Sequence, residues 1–143
     1  TTVDFTIPAT ARVIKLMLAK VSTNGTSNYL VQIGDPGGIE VADYLSTAGD
    51  DTNNLATVTA GFLITRTMGT GATVTFSGTI TLTMENSTTF TWTEEGGISS
   101  GVVTGYNPHS SGVKSLSAAL TTVRLTTVTP DTFDAGEVNV MYQ

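Results

Sequence analysis

The chain contains no cysteine in its 143 residues, which excludes disulfide frameworks and thiolate metal sites. It is also poor in charge, with 13% Asp, Glu, Lys and Arg, about half of the usual quarter. Only six of its residues are Lys or Arg, and the net charge is −6. No basic patch forms on that supply, so nucleic acid and anionic membrane surfaces are not expected partners. Long hydrophobic runs are missing too. The longest, Leu16 to Ala19, is far too short to span a bilayer, so no membrane insertion is expected. No signal peptide is visible, and a chain opening on Thr1 is expected to be a processed or excised piece of something longer. There is one Trp, and His109 is the sole histidine.

What fills the chain instead is threonine in alternation. Val74, Phe76, Ile80, Leu82 and Met84 occupy every second position, with Thr73, Thr75, Thr79, Thr81 and Thr83 between them. Successive strand side chains point to opposite faces, so this spacing predicts a strand buried on one side and wet on the other. The same habit predicts strands at Val3–Ile7, Ala11–Val21, Tyr29–Ile33, Ile39–Leu45, Leu55–Arg66, Thr88–Thr93, Thr122–Val128 and Glu137–Tyr142. For Ala11–Val21 a helix is the alternative, because Lys, Leu, Met and Ala all form helices well.

Turn signals separate these runs. Asn24-Gly25 predicts a hairpin after the second strand. Gly34-Asp35-Pro36-Gly37-Gly38 predicts a sharp turn and has no Lys-Ser/Thr sequel for a phosphate loop. Ser46 to Asn54 reads as a polar loop, Gly61 as a bulge, and Glu94 to Lys114 as the longest irregular stretch. Loops of that length are uncommon and often functional. The expected architecture is one domain over residues 1–143. It is all-β, an antiparallel two-sheet sandwich of the jelly-roll kind with about eight to ten strands.

Candidate chemistry is sparse. His109 follows Asn107 and Pro108 without a nucleophile elbow, so it reads as a loop residue rather than part of a Ser-His-Asp triad. Asp50 and Asp51 with Asn53 and Asn54 offer hard oxygens to Ca²⁺, but not at EF-hand spacing, and a solvated turn is the plainer reading. Asp131 and Asp134 are expected to make local Asx turns. Trp92, two residues after Phe90, reads as core or interface, whereas Tyr106 in polar surroundings is balanced between core and an exposed stacking platform for sugar. The candidate ligand-binding residues are therefore Tyr106, Asn107 and His109 first, then Asp50, Asp51 and Asn53. No catalytic residue, metal or cofactor is assigned.

Several segments in order carry a resemblance: Val31-Gln32-Ile33-Gly34-Asp35-Pro36-Gly37-Gly38-Ile39-Glu40, Phe76-Ser77-Gly78-Thr79-Ile80-Thr81-Leu82, Leu120 to Thr127, and Thr132-Phe133-Asp134-Ala135-Gly136-Glu137-Val138. Together they resemble a β-sandwich module near the C-termini of tailed-bacteriophage tail fibres and tailspike-like proteins. One departure is Asp43-Tyr44, where that family has Gly-Tyr. The resemblance implies a non-enzymatic virion structural protein in the phage tail. It implies a homotrimer that meets a host surface polysaccharide or an outer-membrane receptor. The alternatives are a stand-alone carbohydrate-binding or capsid decoration module and, less favoured, a glycan depolymerase or esterase.

Overall fold

A computed structural model describes residues 1–51, 55–66, 73–101 and 106–143. Among them are twelve strands: β1 Val3–Thr6, β2 Val13–Thr23, β3 Tyr29–Asp35, β4 Gly38–Ile39, β5 Leu45–Gly49, β6 Leu55–Val58, β7 Phe62–Leu63, β8 Phe76–Asn86, β9 Thr91–Ser100, β10 His109–Ser115, β11 Thr122–Thr127 and β12 Phe133–Tyr142. One sheet runs β12-β2-β8-β9-β10-β5-β6, and the other runs β1-β11-β3-β4 with β7 also on β3. Every ladder is antiparallel. The two sheets face each other across one core, which is the expected β-sandwich. Ile14, Leu16, Ile80, Leu82, Val31, Ile33, Val123 and Leu125 are all completely buried in it. Ala11–Val21 is thus a strand and not a helix. The long alternation falls as expected, with Val74, Phe76, Ile80 and Leu82 inside.

The Asn24-Gly25 turn is not a hairpin. It carries the chain from β2 in the larger sheet to β3 in the smaller one. A second crossover, from β11 to β12, runs beside it, and the two are tied together. Asn24 N–H donates to Thr132 O at 3.0 Å, and Thr132 N–H donates to Asn24 Oδ1 at 2.9 Å. Asp131 Oδ2 accepts from Ser27 N–H at 2.7 Å, and Asp134 Oδ1 accepts from the Ser22 hydroxyl at 2.5 Å. These aspartates therefore hold distant segments together instead of making local turns. Asp131 satisfies a backbone donor that lies outside any strand, and Asp134 a hydroxyl on the neighbouring strand β2.

Other boundaries also differ from the sequence reading. Ile39–Leu45 is mostly not a strand, and Asp43 sits at φ 61°, a conformation that costs a glycine nothing. Leu55–Arg66 is two strands in different sheets. The switch falls at Gly61, where a Cβ would lie 3.0 Å from Val31 O. Phe90 lies in the turn before β9 at φ 49°, not in the strand with Trp92. Gly34-Asp35-Pro36-Gly37-Gly38 is a tight hairpin as expected, with Asp35 Oδ1 accepting from Gly37 N–H at 2.8 Å. The other Asp35 oxygen takes the Ser117 hydroxyl at 2.6 Å and Ala118 N–H at 3.0 Å. The Ser117 hydroxyl and the Gly37 N–H hold this carboxyl below its usual range.

Tyr44 joins the β4–β5 connection to the core. Its ring is fully buried edge-on to Phe62, with centroids 4.9 Å apart. Its hydroxyl accepts Ile33 N–H at 2.9 Å and reaches Glu40 O at 3.0 Å. Tyr44→Phe strands the Ile33 N–H in a dry interior. A urea titration should show a loss of about 1–3 kcal/mol, with the slope unchanged.

Candidate functional site

The candidate site is built on the outward face of β9, β10, β5 and β6. Period-two alternation sends Ser46, Ala48, Ser110 and Lys114 inward and leaves Leu45, Thr47, His109 and Ser111 on the outside. Register aligns these residues into rows. Thr57 faces Thr47, Thr47 faces Ser111, and Ser111 faces Glu95. In the next row Leu45 faces Val113, which faces Thr93. On the other side Gly49 separates Leu55 from His109. Leu45 and Leu55 are 71% and 72% exposed, although both are large aliphatics.

Three depressions tile this face. The central one, of about 800 Å³, is lined by Leu45, Thr47, Thr57, Thr93, Ser111 and Val113, among others. A second, of about 330 Å³, shares Thr47 and Ser111 and extends past Leu55 to His109. A third, of about 280 Å³, shares Leu45 and Val113 and ends at Asp43 and Ser115. They adjoin one another through these shared residues, a shallow groove with a hydroxyl-rich, aliphatic lining.

The two candidate segments from the sequence meet at the His109 end. Asn107 Nδ2 donates to Asp51 Oδ2 at 3.1 Å, and His109 Nε2 lies 3.5 Å from Asp51 Oδ1. These side chains are open to solvent, 68% for His109 and 50% for Asp51. Asp50 turns the other way. Its carboxylate is fully buried, 3.6 Å from Arg66 Nη1. Arg66 in turn donates its backbone N–H to Tyr106 Oη at 3.0 Å. Tyr106 is a core residue, 3% exposed, with its ring edge-on to Phe76 at 6.0 Å. Its ring is therefore no stacking platform for a sugar, and burial raises its hydroxyl pKa. Asp50 and His109 line this end of the groove and Tyr106 packs in the core, while Asp51 and Asn107 sit beside His109 at its rim. Asn53 and Asn54 lie outside the described residues. Among the described residues, no three His, Asp or Glu side chains converge as a metal site requires.

The long irregular stretch expected from Glu94 to Lys114 is largely two paired strands, β9 and β10. The polar loop expected at Ser46–Asn54 begins as β5. Consequently Leu45, Thr47, Ser111 and Val113 were not legible as site residues. The signal lay in the serines and threonines themselves, which alternate in and out without any hydrophobic contrast.

Directly behind the groove, Glu94 faces the interior. It is 3% exposed, and Ser110 donates its hydroxyl to Oε1 at 2.7 Å. Oε2 has no hydrogen-bond partner among the described residues. Burial pushes its pKa up to about 7, against the pull of Ser110 and with a push from Glu95. Small neighbours make room for it, since a Cβ on Gly96 would lie 2.8 Å from Oε1.

Comparison with protein-family models, with curated proteins and with solved structures finds no match.

Proposed function

We propose that this chain is a non-enzymatic structural domain of a bacteriophage tail fibre or tailspike. On this reading it assembles as a homotrimer in the virion tail and binds host surface glycan in the β9-β10-β5-β6 groove. The observation that carries the binding reading is the row of adjoining depressions that runs from Asp43 to His109. Sugars present aliphatic C–H faces and hydroxyl edges together. Leu45, Val113 and Leu55 suit the first, and Thr47, Thr57, Thr93 and Ser111 suit the second. Each of these hydroxyls both donates and accepts, so it adapts to either polarity of sugar hydroxyl.

The frame is rigid because every groove strand but the edge strand β6 is hydrogen-bonded on both sides. No aromatic ring lies on the groove's outward rows, so one site binds weakly. Three linked copies raise avidity without any new contact. A non-enzymatic reading is supported by the acids. Glu94 and Glu95 point to opposite faces of β9, and Asp50 is engaged by Arg66, so neither adjacent pair flanks a glycosidic bond in the way hydrolysis uses.

Thr47→Trp fills the central depression from an outward position and leaves the core alone. Glycan-array or whole-cell adsorption signals should fall at least tenfold, while thermal unfolding stays within the small range of surface substitutions. Met17→Trp, at an outward position of β2 on the same sheet but three strands from β10, should bind as the unaltered chain does. Undiminished adsorption by Thr47→Trp would remove this face from the reading. Light scattering that returned the mass of a single 14.8 kDa chain would count against the trimer.

A further inference from the structure

We infer that the groove takes an uncharged glycan and turns acidic ones away; this rests on the glycan-binding reading above. The argument is an inventory of charge. The chain has six Lys and Arg residues, and each is placed. Arg12 donates to the carbonyls of Ala9, Thr10 and Ala11. Arg124 is bidentate to Asp4, with both contacts at 2.8 Å. Arg66 faces Asp50. Lys114 borders the groove, but its side chain is only 5% exposed, and its ammonium donates to Ala42 O at 2.8 Å and lies 3.6 Å from Glu40. Lys15 and Lys20 are on β2, with β8 and β9 between them and β10.

Strands lie about 4.8 Å apart, so Lys15 is about 14 Å from the Ser111 row position, beyond a Debye length of about 8 Å at physiological salt. Anionic groups are closer. Glu95 faces Ser111 directly, Asp51 closes one end and Asp43 lies at the other. Asp50 and Glu94 also line the depressions, and His109 at the end of the groove already faces Asp51. A carboxylate, sulfate or phosphate entering the groove would lose water to neutral hydroxyls alone. It would gain no charge-assisted bond and would feel carboxylates on three sides. A neutral polysaccharide meets none of that penalty.

The test uses the whole chain on a glycan array that carries neutral glucans, galactans and mannans beside alginate, hyaluronan and heparin. Binding is read at low salt and at several-fold higher salt. Neutral glycans should bind, and acidic ones should bind at least about tenfold more weakly at low salt, with the gap narrowing as salt screens it. Ser111→Lys places a cation in the groove and should raise acidic-glycan binding by about tenfold, with a salt dependence opposite to that of the unaltered chain. Acidic glycans bound as tightly as neutral ones, in a manner that Thr47→Trp abolishes, would overturn the charge selection and leave the groove in place. Binding of either class that is indifferent to Thr47→Trp, or no binding to any glycan, would overturn both.

Discussion

Glu94→Gln should make the protein more stable at pH 8 and almost unchanged at pH 4.5. In the fold the carboxyl keeps its proton up to about 7, whereas its ordinary value is 4.5. Between those two values the native state holds a proton that the unfolded chain has released. Stability from this group is therefore full below pH 4.5 and falls as pH rises towards 7. Above that it stays low, because the buried carboxylate has one oxygen without a partner among the described residues. A displacement of this size corresponds to about 3 kcal/mol. Asp4 and Asp35 act in the opposite sense, since both carboxyls are held below their ordinary value. Their contribution is present above about pH 4 and is lost on acidification below it, outside the Glu94 window. Urea midpoints for both chains at pH 4.5, 6 and 8 isolate the effect, because every other titrating group is common to them. Parallel curves across that range would mean that Glu94 is hydrated or paired in solution.

Glu94 also shows where sequence reading stops. The carboxyl sits at an inward position of β9, in alternation with Trp92, Gly96 and Ile98. A Glu in a Glu94-Glu95-Gly96-Gly97 run looks like a solvated turn, so the sequence pattern ends this strand at Thr93. Its partner β10 packs inward with Ser110, Gly112 and Lys114, and β5 with Ser46 and Ala48. None of these gives a hydropathy contrast. The strands where inward means Ile, Leu, Val or Phe were legible: β2, β3, β8 and β11. Those with small and polar inward residues were not, and the groove is made from them. The Asp50-Asp51 and Asn107-His109 segments stand out in the sequence for their chemistry, yet only pairing of β5 with β10 brings them within hydrogen-bond reach. That juxtaposition is tertiary and has no local signature. Asn24-Gly25 failed for a related reason. A local turn preference cannot tell a hairpin from a crossover, and long-range bonds to Thr132 and Asp131 decide which it is.

Trp92→Ala should cost about 3–5 kcal/mol and leave the protein marginal at room temperature. Trp92 is 1% exposed and among the largest fully buried side chains of the core. It stands on β9 between Met84 of β8 and Lys114 of β10 in the ladder. Removing the indole opens a void that two hydrogen-bonded neighbouring strands cannot collapse, so the cavity term adds to the lost transfer energy. The indole N–H has no hydrogen-bond partner among the described residues. Trp92→Phe therefore sacrifices volume but no polar contact, and should cost about 1–2 kcal/mol. The pair separates packing from hydrogen bonding even if the alanine chain does not fold. Because Trp92 is the sole tryptophan, both variants have to be followed by circular dichroism, while the unaltered chain should show the blue-shifted fluorescence of a dry indole. Phenylalanine as costly as alanine would assign the indole N–H a bonded role. A negligible cost for alanine would mean that β9 does not sit against the core.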